Sequence, residues 1–332
     1  MLGLVDDSLL NNLTKSTHAL YSVIPDEVYL KNNHTVFTPR ADVNNSLDYL
    51  FLISGEAICR NHNPFLLVVI PSVVTRAETR DLIRKTWLRA SETNSWPHVV
   101  LGENIKHIFL FGFQNNSKDK DLKSLQTESV LNNDVVMADF VDSYRNLSVK
   151  MLVGLQWTLK YCSRTRFVLK VDEDTFINMP LMVQLLKHVT RDFNGDVFTI
   201  GRRHPSPRPL VVRHPHRWGV GYDEYPLEYY PQYTIGAAYA LTMPSIAPLL
   251  STAAHVRLIS PEDAFINGIL AKTAGVARLA ADSFASDNNV NEIRDCDVVW
   301  NRKVAVIGVS SRERLQELWT SLVTRQCNTT KH

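Results

Sequence analysis

The order of apolar and polar positions from Pro64 onward predicts an alternation of strands and helices. Four apolar runs have strand length: PFLLVVIPS at 64–72, HIFLFGF at 107–113, DVVMADF at 134–140 and RFVLKVD at 166–172. The stretches between them predict helices near 76–89, 119–131 and 146–160. Strands that alternate with helices in this way predict an α/β fold with parallel neighbours and right-handed crossovers.

The first 60 residues differ from the rest, because they are rich in Asn, Ser, Thr and Asp and lack sustained periodicity. This composition predicts a poorly ordered stem at 1–60, followed by a single folded domain at 61–332. No apolar run approaches the roughly 20 residues that span a bilayer. Residues 1–20 also lack the form of a signal peptide. Two alternatives remain, a cytosolic protein or a chain without its N-terminal anchor.

Charge and sequence triplets narrow the class of protein further. The formal net charge of +2, without a long basic block, argues against nucleic acid as a partner. Asn-x-Ser/Thr triplets, which are acceptors for N-glycosylation, favour a secretory route when several occur together. The six triplets begin at Asn12, Asn33, Asn44, Asn115, Asn146 and Asn328.

The four cysteines show no Cys-x-x-Cys spacing, which argues against a structural zinc site. Cys59 and Cys162 each precede one of the predicted parallel strands, the first and the fourth. In the usual doubly wound order these two strands are parallel neighbours, so the two cysteines lie side by side at the amino ends of the strands. We therefore predict a Cys59–Cys162 disulfide. A Cys296–Cys327 disulfide follows by elimination.

The fourth apolar run ends in three consecutive acids, Asp172, Glu173 and Asp174. In α/β sheets, ligands bind beyond the carboxyl ends of the strands, and alternation places Asp172 and Asp174 on one side. Carboxylates in this pattern suit Mg²⁺ or Mn²⁺ together with substrate phosphates. An EF-hand is excluded, because Ile177 stands where its loop needs glycine. The alternative is a cluster of acids at a helix start.

Six motifs in order resemble the β-1,3-galactosyltransferase family, the inverting glycosyltransferases of family 31, which include β-1,3-N-acetylglucosaminyltransferases. The resemblance covers residues 59–327. The motifs are RDLIRKTW (80–87), FLFG (109–112), DFVDSYRNLSVK (139–150), KVDEDTFIN (170–178), YPQYTIGAAYALT (230–242) and PEDAFINGI (261–269).

The resemblance implies a GT-A type fold with a Rossmann-like central mixed sheet flanked by helices. It also implies a UDP-sugar donor, Mn²⁺ (or Mg²⁺) and Golgi localisation through a signal anchor. Asp174 corresponds to the metal ligand of the family's DxD motif, and Asp172 to the acid that faces the ribose or metal-bound water. Asp263 corresponds to the catalytic base. From the residues alone, an ordinary helix start after Ser260 and Pro261 is the favoured interpretation of Glu262 and Asp263.

The remaining candidates also follow from the motifs. For donor binding these are Arg80, Arg84, Lys150 and Glu173, beside Asp172. For the acceptor or sugar they are Tyr233, Gly236 and Glu262, together with Trp218, which matches a family tryptophan outside the six motifs. The alternative for the two arginines is a shared solvated helix face, and for the Lys150 motif a helix cap at Asp142 or Asn146. Buried Tyr and Trp also occur without any ligand.

The chain departs from the family pattern at a few positions. Glu173 stands where Asp or Ser is common, Thr234 where Cys is usual, and Ala264 where Val is usual. A family histidine that helps to bind Mn²⁺ falls among residues 307–309, which are Ile, Gly and Val here.

The expected function is β-1,3-transfer of a hexose, galactose first, to an acceptor glycan on protein or lipid. The alternatives are N-acetylglucosaminyl transfer, an inactive relative that acts as chaperone or glycan binder, and a cytosolic nucleotidyl enzyme.

Overall fold

The computed structural model describes residues 3–4, 20–30, 35–114, 117–286, 295–299 and 302–326. Its strands are β1 (Gly3–Leu4), β2 (Ser22–Val23), β3 (Phe51–Ile53), β4 (Leu66–Pro71), β5 (Ser95–Trp96), β6 (Val99–Val100), β7 (Ile105–Phe113), β8 (Val135–Val141), β9 (Phe167–Val171), β10 (Phe176–Ile177), β11 (Phe198–Arg203), β12 (Thr234–Thr242), β13 (Ala277–Ala280), β14 (Phe284–Ser286) and β15 (Ala305–Ile307). The four strands predicted from the apolar runs are β4, β7, β8 and β9.

In the described part of the chain, nine strands form one mixed sheet in the order β2-β13-β11-β12-β9-β4-β7-β8-β3. The neighbours β9, β4, β7 and β8 are parallel, as predicted. β12 runs antiparallel to both of its neighbours, with Ala238 opposite Val171 of β9. The amino end of β12 therefore lies beside the carboxyl end of β9, where the acidic triplet begins.

Helices cover both faces of this sheet. They are α1 (Ala77–Lys85), α2 (Ala90–Thr93), α3 (Lys118–Asn132), α4 (Leu147–Tyr161), α5 (Met179–Asp192), α6 (Met243–Ala253), a π-helix (Ala264–Leu270), α7 (Ala271–Thr273), α8 (Asp295–Val299) and α9 (Arg312–Thr324). Helices α1, α3 and α4 match the three predicted ones. The predicted α/β fold with a central mixed sheet flanked by helices is thus confirmed.

Alternate side chains of the central strands build two apolar layers. Along β4, Leu66, Val68 and Ile70 belong to the layer that includes α1, α5 and α9. Leu67 and Val69 belong to the layer that includes α4, α6 and the π-helix. A strand buried on both faces must be apolar at consecutive positions, which explains the continuous run in the sequence.

The predicted Cys59–Cys162 disulfide is confirmed, with the two Cα atoms 5.3 Å apart. It depends on β4 and β9 being parallel neighbours, with Leu66 opposite Phe167. The bridge joins positions 103 residues apart. It lies at the amino ends of β4 and β9, whereas the acidic triplet follows the carboxyl end of β9. Cys296 is also in a disulfide, and its predicted partner Cys327 lies outside the described residues.

The segments 20–30 and 35–60 differ from the predicted stem, because both pack on the domain. β2 pairs with β13 at one edge of the sheet, and β3 pairs with β8 at the other. Leu30, Phe37 and Ile58 are buried. Apolar residues isolated among polar ones show no periodicity, yet they anchor extended segments on a surface that the rest of the chain has already formed.

Within the described ranges, no helix combines the length and apolarity needed to cross a membrane. Four predicted glycosylation sites, Asn12, Asn33, Asn115 and Asn328, lie outside the described residues. Asn44 is exposed. Asn146 is only partly exposed, and its side-chain amide donates to the Val141 carbonyl (2.8 Å).

Candidate active site

The acidic triplet forms an ordered turn at the carboxyl end of β9. The Asp172 N–H donates to the Ala237 carbonyl of β12 (2.9 Å), and the Thr175 N–H donates back to the Asp172 carbonyl (3.1 Å). From the other side, the Val309 N–H donates to the Asp174 carbonyl (2.7 Å). Backbone contacts to two distant parts of the chain therefore fix the triplet at the rim.

The three acidic side chains face two environments. Glu173 is buried, where it accepts from the Ser72 hydroxyl (2.5 Å) and pairs with Arg76 (3.2 Å). The pKa of Asp174 is raised, first by partial desolvation and then by the charge of Asp172. Asp172 is partly exposed and Asp174 is exposed, whereas the Glu173 side chain is buried.

A second acidic pair, Glu262 and Asp263, stands at the start of the π-helix. Asp263 accepts hydrogen bonds from the N–H groups of Gly236 and Ala264, each at 2.9 Å. Burial raises the pKa of Asp263, although these two bonds oppose the shift. The helix-start alternative is thus correct as local structure. It does not exclude chemistry, because the carboxylate is held from two sides in one orientation.

Glu262 is buried beside its neighbour and accepts a hydrogen bond from the Tyr239 hydroxyl of β12. Burial raises its pKa to about 7, with the charge of Lys170 opposing and that of Asp263 adding to the shift. A carboxyl group with such a pKa changes protonation near neutral pH. Groups of this kind concentrate at functional sites.

Lys170 connects the two acidic pairs. Its ammonium contacts Asp172 Oδ1 (2.5 Å), the Gly236 carbonyl and, at 3.8 Å, Glu262 Oε2. Sequence reasoning assigned no role to this residue. A signal was present, since a lysine inside an otherwise apolar strand, two positions before Asp172, must share a face with that acid.

Gly236 allows β12 to approach the second acidic pair. A Cβ atom at this position would lie 3.1 Å from Glu262 Oε2 and 3.3 Å from the Asp263 Cβ. The sequence analysis predicted that this glycine lies at the acceptor or sugar site. In the structure the approach is to the acidic pair itself.

Arg80 and Arg84, predicted to bind the donor, are buried in an internal ion-pair cluster. Arg84 binds Asp134 through two hydrogen bonds (2.7 and 2.9 Å) and Glu128 at 2.6 Å. Arg80 binds Glu128 (2.8 and 2.5 Å) and donates to Ser72 Oγ (3.0 Å). Neither donor binding nor a solvated helix face describes this arrangement, because both guanidinium groups are occupied by protein groups.

Lys150 lies behind the triplet and not on its open side. Its ammonium donates to Asp142 Oδ2 and to the Ser72 carbonyl, both at 2.6 Å. Burial lowers its pKa, and the charges of Asp142, Glu173 and Asp172 oppose that shift. Lys150 therefore supports the strand end that carries Ser72, the residue that also binds Glu173 and Arg80.

Of the predicted aromatic contacts, the structure brings Tyr233 to the acidic pair. Burial raises the pKa of Tyr233, and the charge of Asp263 adds to the shift. Trp218 is 44% exposed, and its ring lies 4.9 Å from that of His216. For the residues described, no contact joins Trp218 to the acids, so its predicted role remains a prediction.

The negative charge on the exposed side of the acidic triplet is suited to a divalent cation. Asp172 and Asp174 place two like charges on this side, and the charge of Asp172 adds to the desolvation that raises the pKa of Asp174. A bound cation would oppose both effects. Among the described residues, no group of three or more His, Cys, Asp or Glu side chains gathers as a metal site. Mg²⁺ needs only one or two carboxylates when phosphates and water complete its shell. Residues 307–309 do lie beside Asp174, where the family histidine was expected.

Comparison with known proteins identifies the family. Residues 78–282 match the sequence model of the family described as "Galactosyltransferase". The chain is 31% identical over 259 residues to the human protein "Beta-1,3-galactosyltransferase 9", which covers 76% of this chain and 64% of that protein. The chain therefore belongs to the galactosyltransferase family.

Two further relatives are similar over shorter ranges. The mouse (Mus musculus) protein "Beta-1,3-galactosyltransferase 5" is 30% identical over 226 residues, 67% of this chain and 68% of that protein. In Mus spicilegus, "UDP-GalNAc:beta-1,3-N-acetylgalactosaminyltransferase 1" is 29% identical over 225 residues, 66% of this chain and 63% of that protein. The chain thus spans just under two thirds of this last relative. A solved structure, the WbbM bifunctional glycosyltransferase, aligns over 80% of this chain and 52% of its own with a TM-score of 0.39 and 9% identity.

Proposed function

We propose that the protein transfers a hexose, galactose first, from a UDP-sugar to the 3-hydroxyl of an acceptor glycan on protein or lipid, with inversion. The observation that carries this proposal is the convergence of two acidic pairs, Asp172 with Asp174 and Glu262 with Asp263, on Lys170 at one rim of the sheet. Membership of the galactosyltransferase family supports it.

Asp263 is the proposed general base. An inverting transfer needs one carboxylate to take the proton from the acceptor hydroxyl as that oxygen attacks the anomeric carbon. The N–H groups of Gly236 and Ala264 orient the carboxylate and leave a lone pair on each oxygen for that proton. Burial raises the pKa of Asp263, which makes it a stronger base than an exposed aspartate.

Asp172 and Asp174 are the proposed ligands of Mn²⁺ or Mg²⁺. The cation, when bound, would neutralise charge on the departing diphosphate. Lys170 holds Asp172 through Oδ1, which leaves Oδ2 for the cation side. The carboxylates thus remain the donor-side residues of the proposal.

The predicted donor contacts of Glu173, Arg80 and Arg84 are replaced by a supporting role. Arg80 and Glu173 bind the same Ser72 hydroxyl from opposite sides. This chain of hydrogen bonds fixes the backbone of the triplet. Lys150 supports the same point through the Ser72 carbonyl.

The acceptor is proposed to bind on the side of Tyr233, Gly236 and Glu262, next to the base. An aromatic ring such as that of Tyr233 is of the kind that packs on a sugar face. Trp218, exposed in the long loop before β12, is proposed as an outer contact for the acceptor.

The proposed location is the Golgi lumen. The Cys59–Cys162 disulfide supports an oxidising compartment. The similarity to "UDP-GalNAc:beta-1,3-N-acetylgalactosaminyltransferase 1" favours N-acetylgalactosamine as a second donor sugar to be tested.

A donor and acceptor screen tests the function. The protein is incubated with Mn²⁺ and UDP-galactose, UDP-N-acetylglucosamine or UDP-N-acetylgalactosamine, and with β-linked p-nitrophenyl glycosides of galactose and N-acetylglucosamine. We expect UDP release that depends on both substrates, and a β-1,3 linkage by NMR of the product. Binding of UDP and Mn²⁺ in calorimetry without turnover on any pair would instead support an inactive relative, and absence of UDP binding would reject both.

A further inference from the structure

Residues 22–30, which we call the N-terminal clasp, pack at the edge of the sheet close to the acceptor side. β2 pairs with β13, Val23 lying opposite Leu279. Beyond β2, the Ile24 N–H donates to the Arg278 carbonyl (2.7 Å). The clasp then leaves the sheet edge and reaches the loop that precedes β12.

The centre of the clasp is Glu27, a carboxylate only 6% exposed. Its Oε1 accepts from the Gln232 N–H (2.7 Å) and from Arg278 (2.5 Å), and its Oε2 accepts from Lys272 (3.2 Å). Arg278 also donates to the Gln232 carbonyl (2.6 Å). The Glu27–Arg278 ion pair therefore binds both the N–H and the carbonyl group of Gln232.

Gln232 passes this constraint to two loops. Its side-chain amide donates to the carbonyls of His204 (3.0 Å) and Ser206 (2.8 Å). A second clasp residue, Tyr29, donates its hydroxyl to the Tyr230 carbonyl (3.1 Å). The clasp thus fixes residues 230–232 at two points and ties them to the loop after β11.

Residues 230–233 form a wall next to the proposed base. The charge of Asp263 contributes, after burial, to the raised pKa of both Tyr230 and Tyr233. Tyr233 also packs on the π-helix that begins after Asp263, since its Cβ lies within 3.4 Å of the position a Cβ would take at Gly268. Within the described residues the buried Tyr230 hydroxyl has no hydrogen-bond partner. Residues 230–233 therefore lie against the segment that carries the proposed base.

We propose that Glu27 is a positioning residue for the acceptor, because it holds the Tyr230–Tyr233 wall in place through Gln232. The inference rests on the proposed transferase function for its substrate. The N-terminal clasp, although its composition is that of a stem, would then help to position the acceptor. Glu27 itself is placed to contact neither donor nor acceptor, so its loss should act on acceptor affinity and not on UDP binding.

The chain offers a matched control for Glu27→Gln. Asp26 pairs with the same two cations, Lys272 (3.3 Å) and Arg278 (3.2 Å), but is 73% exposed. Its carboxylate makes no hydrogen bond to Gln232 among the contacts of the described residues. Asp26→Asn therefore removes the same charge from the same ion-pair group and leaves the Gln232 contact intact.

The first measurement is hydrogen–deuterium exchange on the full chain, which needs no knowledge of the substrates. Glu27→Gln should speed exchange in residues 204–208 and 229–236, while Asp26→Asn and the wild type remain alike there. Equal exchange in all three proteins would overturn the clasp. Faster exchange throughout the sheet in Glu27→Gln would also count against it, because that result indicates general destabilisation.

The second measurement is steady-state kinetics with the p-nitrophenyl glycoside that the screen identifies. We expect Glu27→Gln to raise the acceptor KM about tenfold, the size of one charge-assisted hydrogen bond, with the UDP-sugar KM unchanged. An unchanged acceptor KM, or a parallel change in both KM values, would overturn the positioning role. If no glycoside is a substrate of the wild type, the transferase proposal fails while the exchange result still decides the clasp.

Should Glu27→Gln not fold, Tyr29→Phe replaces it in both measurements. This change removes only the hydroxyl that binds the Tyr230 carbonyl. The expected shifts have the same direction and are smaller, and no shift in either would reject the clasp.

Discussion

Two groups of charged side chains in this protein contrast in their charge balance. In the first, Arg80 and Arg84 face Glu128 and Asp134. Burial alone would raise the pKa of Glu128, but hydrogen bonds from the two arginines lower it. Burial opposes the shift of Asp134 in the same way, and bonds from His107 and Arg84 lower its pKa.

In the second group, Lys170 is the cation shared by Asp172, Asp174, Glu262 and Asp263. The pKa values of the last three acids are raised. The first group is neutralised by its own members and is therefore structural. In the second, burial raises the pKa values first and the charges of neighbouring acids add to the shift, so an arriving cation or proton is favoured there, as at functional sites. Both groups contain family motif residues, so the motif alone does not separate the two roles.

Asp174→Asn should break the second group most severely. We expect turnover to fall below detection and Mn²⁺-dependent UDP binding to weaken sharply, because a charged oxygen ligand at the rim is lost. Calorimetry with UDP and Mn²⁺ checks the binding, and a thermal melt checks that the fold is kept. Asp119→Asn, at an exposed site on α3, is the control. Normal activity of Asp174→Asn would remove the acidic triplet from the mechanism.

Asp263→Asn should separate the base from the donor site. The expected loss in kcat is about 10²–10⁴-fold, the usual contribution of general base catalysis, with UDP affinity nearly unchanged. The side chain of asparagine has one acceptor oxygen, so it can keep only one of the two hydrogen bonds from the Gly236 and Ala264 N–H groups. The melting temperature is therefore measured together with the kinetics. A loss of UDP binding in step with kcat would make Asp263 a donor contact instead.

Arg84→Met should break the first group without touching the chemistry. Removing one partner of a buried ion pair costs about 3–5 kcal/mol, because Asp134 and Glu128 lose their counter-charge. Urea unfolding measures this loss. Lys85→Met removes an exposed charge from the same helix, where the pair with Asp81 contributes about 1 kcal/mol or less. If both variants are equally stable, the first group is not structural. If UDP affinity of folded Arg84→Met collapses, the donor-binding interpretation of the motif is restored.

Glu262→Gln should sharpen the contrast through pH. The pKa of Glu262 rises from 4.5 to about 7 on folding, so between these values the folded state binds more protons than the unfolded state. Stability attributable to this group therefore falls as pH rises from about 4.5 to about 7, by roughly 3 kcal/mol in total. In metal-free buffer the wild type should lose stability across this window relative to Glu262→Gln. Parallel pH profiles would show that Glu262 is not strained.

The sequence predicted the elements whose signals are local. Continuous apolar runs predicted β4, β7, β8 and β9, because a strand that is covered on both faces has no polar side. The acidic triplet followed the fourth run in the chain, so its place at the carboxyl end of a strand was readable. The Cys59–Cys162 bridge followed too, since the usual strand order places the entries of the first and fourth strands side by side.

What the tertiary structure decided are the pairings between residues far apart in the chain. Arg84 meets Asp134 across 50 positions and Lys170 approaches Glu262 across 92, and no spacing in the sequence distinguishes these partners from other charged residues. Glu27 reaches Arg278 across 251 positions. The polar composition of residues 1–60 favoured a stem, because composition indicates only whether a segment can form an apolar core by itself. Whether an extended segment is ordered depends on the surface that the rest of the chain offers to it. Here that surface is the edge of β13 with Lys272 and Arg278 beside it, and it exists only once β13 has joined the sheet.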